Sequence, residues 1–392
     1  MIFDQIGSAV NLSNIQSLLL TELQKKSSTK WRKYDQHILP MHIAEMDFDI
    51  ASEIKAEIVD RVQRGDLGYL GPIPELGDAV SKFALNRWGW NLDPNLVTPA
   101  VDVGVATIEV IRVLANSGDQ VLINSPAYSN FFNWLDELKM QLVDVPMLQS
   151  AQGWELDLVG IEDAFKSGIK IFLLCNPQNP VGHVHAENEL RAVAELANKY
   201  QVFVISDEIH APLTYSDISF TPYLKIPEAS ETGYAITSAS KAWNISGLKA
   251  AVIVSGSEKA ANRIAALPKA VHMRTSIVGA FAMIAAMNFA TAWLDETLDI
   301  LNHRRFFLQE LLLDLAPGIQ YKIPSAGYLA WLDLSSFGEN DNWHDHFVNE
   351  GKVSIVPGQE FGHQYKNFVR LNFATYPEIL EEGVRRISKA LR

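Results

Sequence analysis

The sequence contains a single cysteine, Cys175, so no disulfide can form within the chain. It also lacks an excess of positive charge, because 33 lysines and arginines stand against 46 aspartates and glutamates, for a formal net charge of −13. A chain of this charge is a poor partner for nucleic acid or for an anionic membrane surface. A lone cysteine is typical of proteins of the reducing cytoplasm. We therefore expect a cytoplasmic protein that binds neither nucleic acid nor membrane.

The sequence has no internal repeat, no block of like charges and no recognisable export signal. Residues Met1 to Asp4 carry no basic segment followed by an apolar one. One apolar run of membrane length, from Ile277 to Leu294, is rich in alanine but contains Asn288 and Thr291 and is followed by Asp295. We predict that this run forms a buried or interface helix and not a membrane span.

Two pairs of histidines, His183 with His185 and His344 with His346, raise the question of a metal site. Side chains at positions i and i+2 diverge on a helix and can converge only on a strand. No cysteine, aspartate or glutamate ligand set completes either pair in the way that zinc sites require. We therefore predict that the protein binds no metal.

Three polar side chains follow three short apolar segments. A segment that is apolar on both faces is typical of a central strand in a parallel sheet covered by helices. Asn179, Asp207 and Lys241 each follow such a segment, and ligands of these sheets bind outside the carboxyl ends of the strands. The sequence therefore predicts an amide, a carboxylate and a lysine at one sheet edge. The segments are Ile171–Cys175, Val202–Ile205 and Tyr234–Thr237.

The lysine lies between two small hydroxyl side chains, Ser238 and Ser240. An enzyme that forms a Schiff base needs a rigidly held amine, and hydroxyl donors nearby suit a phosphorylated cofactor. With Asn179 and Asp207, this constellation resembles the fold-type I pyridoxal-phosphate enzymes of the aspartate aminotransferase superfamily. The resemblance implies that Lys241 carries pyridoxal 5'-phosphate, that Asp207 pairs with the pyridine nitrogen and that Asn179 bonds the ring hydroxyl. Without Asn179 and Lys241, the position of Asp207 after a strand would instead indicate a helix N-cap.

The resemblance also implies a phosphate site near residue 104. The sequence predicts a strand over Val97–Val103, then a tight turn at Gly104 and a helix to about Asn116. The amides of Ala106 and Thr107, as the first of that helix, are expected to be unpaired donors at the positive end of its dipole. We expect Ser238, Ser240 and Lys249 to complete the cradle, although Lys249 also reads as an exposed lysine at a strand end.

Three further residues take roles from the resemblance. Tyr128, in the segment Ser125–Tyr128, would stack on the pyridine ring. Tyr69, in a loop rich in glycine and proline, would cross a dimer interface to the phosphate of the partner subunit, and we therefore expect a homodimer with shared sites. Arg370 lies alone in an apolar strand, where a buried arginine needs a carboxylate. We expect it to bind the α-carboxylate of an amino-acid substrate, with a structural salt bridge as the alternative.

Other segments are similar to the C–S β-lyases of the MalY/PatB type. His210 stands where most transaminases of the superfamily carry tyrosine, and would contact the cofactor ring, although a lone histidine after a strand is usually a packing residue. Ala326–Gly327 is instead similar to many transaminases. Arg274 either reaches the cleft and selects acidic side chains or is a surface charge. The segments similar to the lyases are Lys30–Trp31, Leu39–Pro40, Ala44–Phe48, Asp207–His210 and Tyr328–Leu334.

We therefore expect an α/β protein of the fold-type I class. A large domain with a mostly parallel sheet covers residues 46–275, and residues 1–45 and 276–392 form a smaller α+β domain. The expected activity is that of a cystathionine β-lyase, which cleaves L-cystathionine or related cysteine S-conjugates to thiol, pyruvate and ammonia. An aminotransferase is the alternative. A regulator that uses this fold as a ligand sensor is disfavoured, because residues 1–45 are too short and not basic enough for a DNA-binding domain.

Overall fold

A computed structural model describes residues 19–150, 153–340 and 342–392. The strands in this part of the chain are Leu39–Pro40 (β1), Val97–Ala100 (β2), Gln120–Ile123 (β3), Gln141–Asp144 (β4), Leu148–Gln149 (β5), Trp154–Glu155 (β6), Ile171–Cys175 (β7), Phe203–Asp207 (β8), Gly233–Thr237 (β9), Ala251–Ser255 (β10), Gln320–Tyr321 (β11), Leu329–Asp333 (β12), Val353–Ser354 (β13), Val356–Pro357 (β14) and Phe368–Asn372 (β15).

The α-helices of the same residues are Leu20–Leu23 (α1), Thr29–Arg32 (α2), Ser52–Arg64 (α3), Pro74–Trp88 (α4), Val103–Leu114 (α5), Ser129–Glu137 (α6), Leu158–Lys166 (α7), Glu187–Tyr200 (α8), Glu258–Ile264 (α9), Lys269–Met273 (α10), Ile277–Phe289 (α11), Thr291–Leu315 (α12), Trp343–His346 (α13) and Pro377–Ala390 (α14).

The main sheet has seven strands in the order β2-β10-β9-β8-β7-β3-β4. Strand β10 runs antiparallel to both of its neighbours, and the pairs from β9 to β4 are all parallel. A second sheet, β11-β12-β15-β14, is antiparallel throughout. The predicted α/β architecture with a mostly parallel sheet is confirmed.

Strand β7, in the centre of the sheet, is covered by apolar side chains on both of its faces. All five of its residues are buried. Leu173 packs into the apolar cluster that contains helices α5, α6 and α9, whereas Phe172 and Leu174 pack on the opposite side against α7 and α8. Because both faces are covered, the alternation of polar and apolar residues disappears from the sequence. The three predicted central strands correspond to β7, β8 and β9.

Strand β2 is shorter than predicted. It ends at Ala100, and helix α5 already begins at Val103. Asp102 ends the extended segment, because its Oδ1 accepts a hydrogen bond of 2.8 Å from the amide of Val105 and so caps the helix. The predicted strand Val97–Val103 is therefore wrong at its carboxyl end.

The apolar run Ile277 to Leu294 does not form one helix. It is divided between α11 and the start of α12, which meet at a bend of 78°. No single helix in the described part of the chain has the length and apolarity of a membrane span, and these two reach it only when they are taken together. Much of α11 is buried, as predicted.

The amino-terminal segment joins the carboxyl-terminal part of the fold. Strand β1 pairs in parallel with β13, and the amide of Asn372 donates to the carbonyl of Met41 at 2.8 Å. This pairing agrees with an amino-terminal segment that returns to a smaller domain. The domain boundaries themselves stay predictions, and residues 1–18 lie outside the described residues.

Candidate active site

A cavity of about 590 Å³ lies at the carboxyl ends of β7, β8 and β9. Cys175 and Asp207 end two of these strands, and Lys241 follows the third. The structure thus brings together side chains that are far apart in the sequence. The predicted site residues that line the cavity are Tyr128, Asn179, Asp207, His210, Ser240, Lys241, Lys249 and Arg370.

Lys241 is the amine of this cavity. Its Nζ donates a hydrogen bond of 2.9 Å to the carbonyl of Ala44. Burial, reinforced by the nearby positive charge of Arg370, lowers the pKa of the ammonium to about 8. A lysine with this pKa is partly neutral near physiological pH, and only the neutral amine is nucleophilic.

Asp207 is the buried carboxylate that faces the same cavity. Its Oδ1 accepts a hydrogen bond of 3.1 Å from the amide of Ile209. This bond stabilises a local turn and not a helix start, because the next helical turn, Ala211–Leu213, begins after His210. The helix cap considered as the alternative is therefore not seen. Burial raises the pKa of the carboxyl to about 6, because a charge in this position is poorly solvated. A cation beside Asp207 would therefore be favoured, as the protonated ring nitrogen of the cofactor would be.

Arg370 lies on the cavity wall, buried and without an anionic partner. Its Nη1 donates to Oδ1 of Asn179 at 3.2 Å, and its Nη2 donates to the carbonyl of His42 at 3.1 Å. Nε has no partner, and no aspartate or glutamate among the described residues forms a salt bridge with the guanidinium. The structural salt bridge considered as the alternative is therefore not seen. A buried guanidinium without a counterion fits a ligand carboxylate.

Tyr128 and His210 line the same cavity. The Tyr128 hydroxyl accepts a hydrogen bond of 2.7 Å from Asn130, and its ring packs edge-on against Phe131. The ring of His210 lies 6.2 Å from that of Tyr328, and its Nδ1 is buried without a partner in the described structure. Burial lowers the pKa of His210 to about 3, so the imidazole is neutral.

The predicted phosphate-binding amides need a correction. Helix α5 begins at Val103, so the amide of Ala106 already donates to the carbonyl of Asp102 at 2.9 Å. Thr107 is fully buried, and its hydroxyl donates to the carbonyl of Val103. The first two amides of the helix, those of Val103 and Gly104, take no intrahelical bond, and both residues line the cavity. The unpaired amides at the start of the helix are therefore those of Val103 and Gly104, and not the predicted amides of Ala106 and Thr107.

Gly104 has a different role from the predicted turn. It lies within the first turn of α5, and a Cβ added there would lie 2.9 Å from the ring of Trp134. The close approach of this indole, and not a special backbone conformation, is what requires glycine.

The expected cradle of hydroxyls and a lysine is only partly assembled. Ser240 and Lys249 line the cavity, but Ser238 does not. The Ser238 hydroxyl donates to the carbonyl of Ala250 at 2.6 Å and accepts from the amide of Ser240 at 3.0 Å. It therefore supports the loop that carries Lys241. Lys249 forms an ion pair of 2.9 Å with Asp102, an acidic residue that the sequence interpretation had passed over.

His42, Ile43 and Ala44 form part of the cavity wall, and the sequence motifs around them hold this segment in place. Lys30 and Asp47 form a buried salt bridge of 2.8 Å, and the indole of Trp31 donates to the same carboxylate at 3.2 Å. Side chains from distant parts of the chain hold the carbonyls of this segment: Lys30 bonds Glu45, Tyr328 bonds Ala44, and Asn372 bonds Ile43 and Glu45.

Sequence reasoning missed several residues of this wall. Lys33, His42 and Glu360 line the cavity but belong to no predicted motif, and His344 was considered only as half of a possible metal-binding pair. The signal for Asp102 was present, since an aspartate before an apolar helical segment is a typical helix cap. His42 had no such signal, and nothing local linked His344 to this cavity, because both come together around Tyr34 only in the folded chain.

Tyr69 and Arg274 lie away from the cavity of their own chain. The side chain of Tyr69 is 85% exposed, in the loop that follows α3. Arg274 is exposed at the end of α10. Within this chain Arg274 is thus a surface charge. The predicted role of Tyr69 in a partner's site stays a prediction.

The two histidine pairs differ. His344 and His346, on helix α13, diverge as predicted and bond the carbonyls of Ile355 and Ala390. His183 and His185 lie in an extended segment, and the fold brings Glu189 to them, with their ligand atoms within 4.8 Å of one another. The statement that no acidic ligand completes this pair was therefore wrong. Both carboxylate oxygens of Glu189 already accept backbone amides: Oε2 accepts from Ala186, at the cap of α8, and Oε1 accepts from Leu156.

The cavity thus holds a lysine and an aspartate at adjacent strand ends, with an arginine that has no counterion among the described residues; these are the groups that a Schiff-base site for an amino-acid substrate requires. The sequence model of the aminotransferase class I and II family matches residues 36–387. The chain belongs to this family, and the predicted resemblance is confirmed.

Known relatives cover almost the whole chain. A cystathionine beta-lyase of Corynebacterium glutamicum is 33% identical, over 95% of this chain and 99% of its own length. Cystathionine beta-lyase PatB of Bacillus subtilis is 29% identical, over 93% and 96%. The crystal structure of a PLP-bound C-S lyase from Staphylococcus hominis superposes with a TM-score of 0.87 at 25% identity, over 93% and 96%. The predicted similarity to the MalY/PatB-type lyases is confirmed.

Proposed function

We propose that the protein is a pyridoxal 5'-phosphate-dependent carbon–sulfur β-lyase. It would cleave L-cystathionine or a related L-cysteine S-conjugate, with one water, to a thiol, pyruvate and ammonia. The observation that carries the proposal is the meeting of Lys241, Asp207 and the unpaired Arg370 in one cavity. The relatives named as cystathionine beta-lyases support it.

The residues of the cavity fit this cofactor. Lys241 offers an amine with a lowered pKa, and Asp207 offers a buried carboxylate for a protonated ring nitrogen. The side chain of Asn179, whose Oδ1 already accepts from Arg370, keeps its amide N–H groups for the ring hydroxyl. The start of α5, with Lys249 beside it, suits the phosphate. When bound, the cofactor supplies an electron sink for the charge that develops at the substrate Cα.

The chain's own residues supply the remaining steps. Arg370 would hold the α-carboxylate through its fork of N–H donors. Lys241, once displaced by the substrate amine, would take the Cα proton at its Nζ, and a pKa of about 8 suits a general base near neutral pH. Asp207 would keep the ring nitrogen protonated. The thiolate then leaves from Cβ.

An aminotransferase shares the proton abstraction and differs in where the proton returns. Ala326–Gly327 keeps this alternative open, because the pair is similar to that of many transaminases and lies close to the cavity: a Cβ added at Gly327 would be 3.7 Å from Nδ1 of His210. The test is to supply L-cystathionine without any keto acid and to measure pyruvate and free thiol. We expect steady release of both. Turnover that requires a keto acid and releases no thiol would favour the aminotransferase.

We further propose a homodimer in the cytoplasm, with Tyr69 reaching the partner's site. Several apolar side chains are exposed on α3 and the loop after it, as they would be on a surface that a second copy covers: Val59, Val62, Leu67 and Tyr69. The single buried Cys175 suits a reducing compartment. Tyr69→Phe should weaken cofactor retention, and mixing it with inactive Lys241→Ala should give one intact site in each mixed dimer. A fully active monomer in light scattering would contradict the shared site.

A further inference from the structure

His42 is a cavity-lining histidine whose ring lacks hydrogen-bond partners. Its side chain is 3% exposed, and neither Nδ1 nor Nε2 has a partner among the described residues. Buried polar atoms in folded proteins nearly always have one. Since His42 lines the cavity, a ligand group entering that cavity is a natural partner for the ring.

The backbone contacts of His42 place its segment beside the position expected for the substrate. Its carbonyl accepts a hydrogen bond of 3.1 Å from Arg370, and Ala44, two residues further on, accepts one from Lys241. A substrate that has its α-carboxylate on Arg370 and its Cα near Lys241 therefore lies against this segment. Its sulfur substituent would extend along the wall that His42 helps to form.

The ring of His42 is held by a network that leaves its nitrogens unused. Tyr34 packs edge-on against it, with ring centroids 5.2 Å apart. The Tyr34 hydroxyl bonds Nε2 of His344 at 3.0 Å, and Nδ1 of His344 bonds the carbonyl of Ile355 at 2.8 Å. A carbonyl only accepts, so Nδ1 of His344 carries the proton and, in the neutral ring, Nε2 accepts from Tyr34. Both nitrogens of His344 are thus engaged.

The charges around His42 favour an anion. Burial, followed by the positive charges of Lys33 and Lys30, lowers the pKa of the ring to about 3. Lys33 itself lines the cavity, with its Nζ 5.4 Å from the centroid of the Tyr34 ring. A neutral imidazole still donates one N–H, and an ammonium beside it suits a carboxylate. The exposed carboxylate of Glu360 lines the cavity too, so a ligand end that also carries an ammonium is compatible with this wall.

We propose that His42 and Lys33 form a subsite for a carboxylate at the far end of the substrate's sulfur substituent. The inference rests on the proposed lyase activity and specifies its substrate class. The favoured substrates are L-cysteine S-conjugates whose leaving thiol carries a carboxylate.

A matched pair of conjugates tests the subsite. S-(3-carboxypropyl)-L-cysteine and S-butyl-L-cysteine have substituents of similar length and differ in the terminal carboxylate. We expect the intact enzyme to prefer the carboxylate in kcat/KM by about tenfold, the range of one hydrogen bond to a charged group. The substitutions His42→Phe and Lys33→Met, the second at an exposed position, should each lower the ratio of the two kcat/KM values toward one. Arg274→Ala, at a surface position outside the cavity, should leave it unchanged.

A binding measurement separates this subsite from the lyase activity. L-2-aminosuberate and L-2-aminooctanoate replace sulfur with a methylene, so neither can lose a thiol. Calorimetry on the cofactor-loaded protein should show about tenfold tighter binding of aminosuberate, and His42→Phe or Lys33→Met should abolish the difference. If no conjugate yields thiol, the lyase proposal fails while this comparison still tests the subsite. Equal ratios in the intact enzyme and both variants, or a preference lost only in Arg274→Ala, would overturn the subsite.

Discussion

The ammonium of Lys30 lies 2.8 Å from the carboxylate of Asp47, and both side chains are 2% exposed. This pair holds the segment whose carbonyl at Ala44 accepts the hydrogen bond from Lys241. The Lys30–Trp31 and Ala44–Phe48 motifs, which are similar to those of the lyases, thus meet in one buried contact, the Lys30–Asp47 salt bridge. Its chemical purpose is to fix the wall of the cavity that faces the lysine.

Removing one partner of this pair should destabilise the protein. Lys30→Met leaves the Asp47 carboxylate buried without its counterion, and the free energy of unfolding should fall by about 3–5 kcal/mol. Urea unfolding measures the change. Arg64→Met is the matched control, because the Arg64–Asp60 pair is exposed on both sides and should contribute less than about 1 kcal/mol. Equal losses in the two variants would contradict the proposed role of the buried pair.

The lowered pKa of Lys241 predicts a pH profile for cofactor uptake. Only the unprotonated amine attacks an aldehyde, so the rate at which cofactor-free protein binds pyridoxal phosphate should rise about tenfold per pH unit and level off near pH 8. The charged groups that act on this amine are Arg370, Glu45, Asp207 and Lys249. Stopped-flow absorbance gives the rate, and borohydride reduction should fix the label on Lys241. A rate that still climbs well above pH 9 would be the profile of an ordinary lysine.

Asp207 should matter for the reaction more than for cofactor attachment. Asp207→Ala should still bind the cofactor on Lys241 but slow thiol release by at least about 10²–10³, the range measured for electrostatic groups in other active sites. The neighbouring buried carboxyl Glu208 bonds Ser206 and the amide of Tyr223 and does not line the cavity. Glu208→Gln should therefore keep most of the activity. Near-normal turnover in Asp207→Ala would remove the assigned role.

The negative charge of Asp102 should oppose the binding of the cofactor phosphate, so its removal should strengthen that binding. Its carboxylate caps α5 through Val105 and pairs with Lys249, so it places a negative charge where the phosphate is expected. Asp102→Asn keeps the cap and removes the charge, and the Kd for pyridoxal phosphate should fall roughly fivefold, since one charge at about 4 Å in water contributes about 1 kcal/mol. Equilibrium dialysis measures it.

A second helix cap provides the control for this prediction. Asp157 caps α7 through Gly160 in the same way, at 2.9 Å, and does not line the cavity. Asp157→Asn should leave cofactor affinity unchanged. Weaker binding in Asp102→Asn would mean that the aspartate instead holds Lys249 in place for the phosphate.

Much of the site could be predicted because it depends on local patterns. The apolar segments that became β7, β8 and β9 each end at a polar residue, and parallel strands bring their carboxyl ends to one edge. The start of α5 was predicted less well. The apolar residues on both sides of Asp102 are compatible with a strand as well as a helix. The structure has a helix there because the side chain of Asp102 accepts a hydrogen bond from the amide of Val105 and caps it.

The sequence by itself determined the family, through the motifs that resemble it. It also predicted that Asn179, Asp207 and Lys241 meet, because parallel strands bring their carboxyl ends to one edge of a sheet. Only the tertiary structure decided which groups have partners. The Ser238 hydroxyl bonds Ala250 and does not line the cavity. Among the described residues, Arg370 has no carboxylate partner and the ring of His42, packed against Tyr34, has no hydrogen-bond partner. Tyr34 and His344 are 310 residues apart in sequence. Such contacts arise from the packing of the small sheet against the amino-terminal segment, and no local periodicity or propensity encodes them.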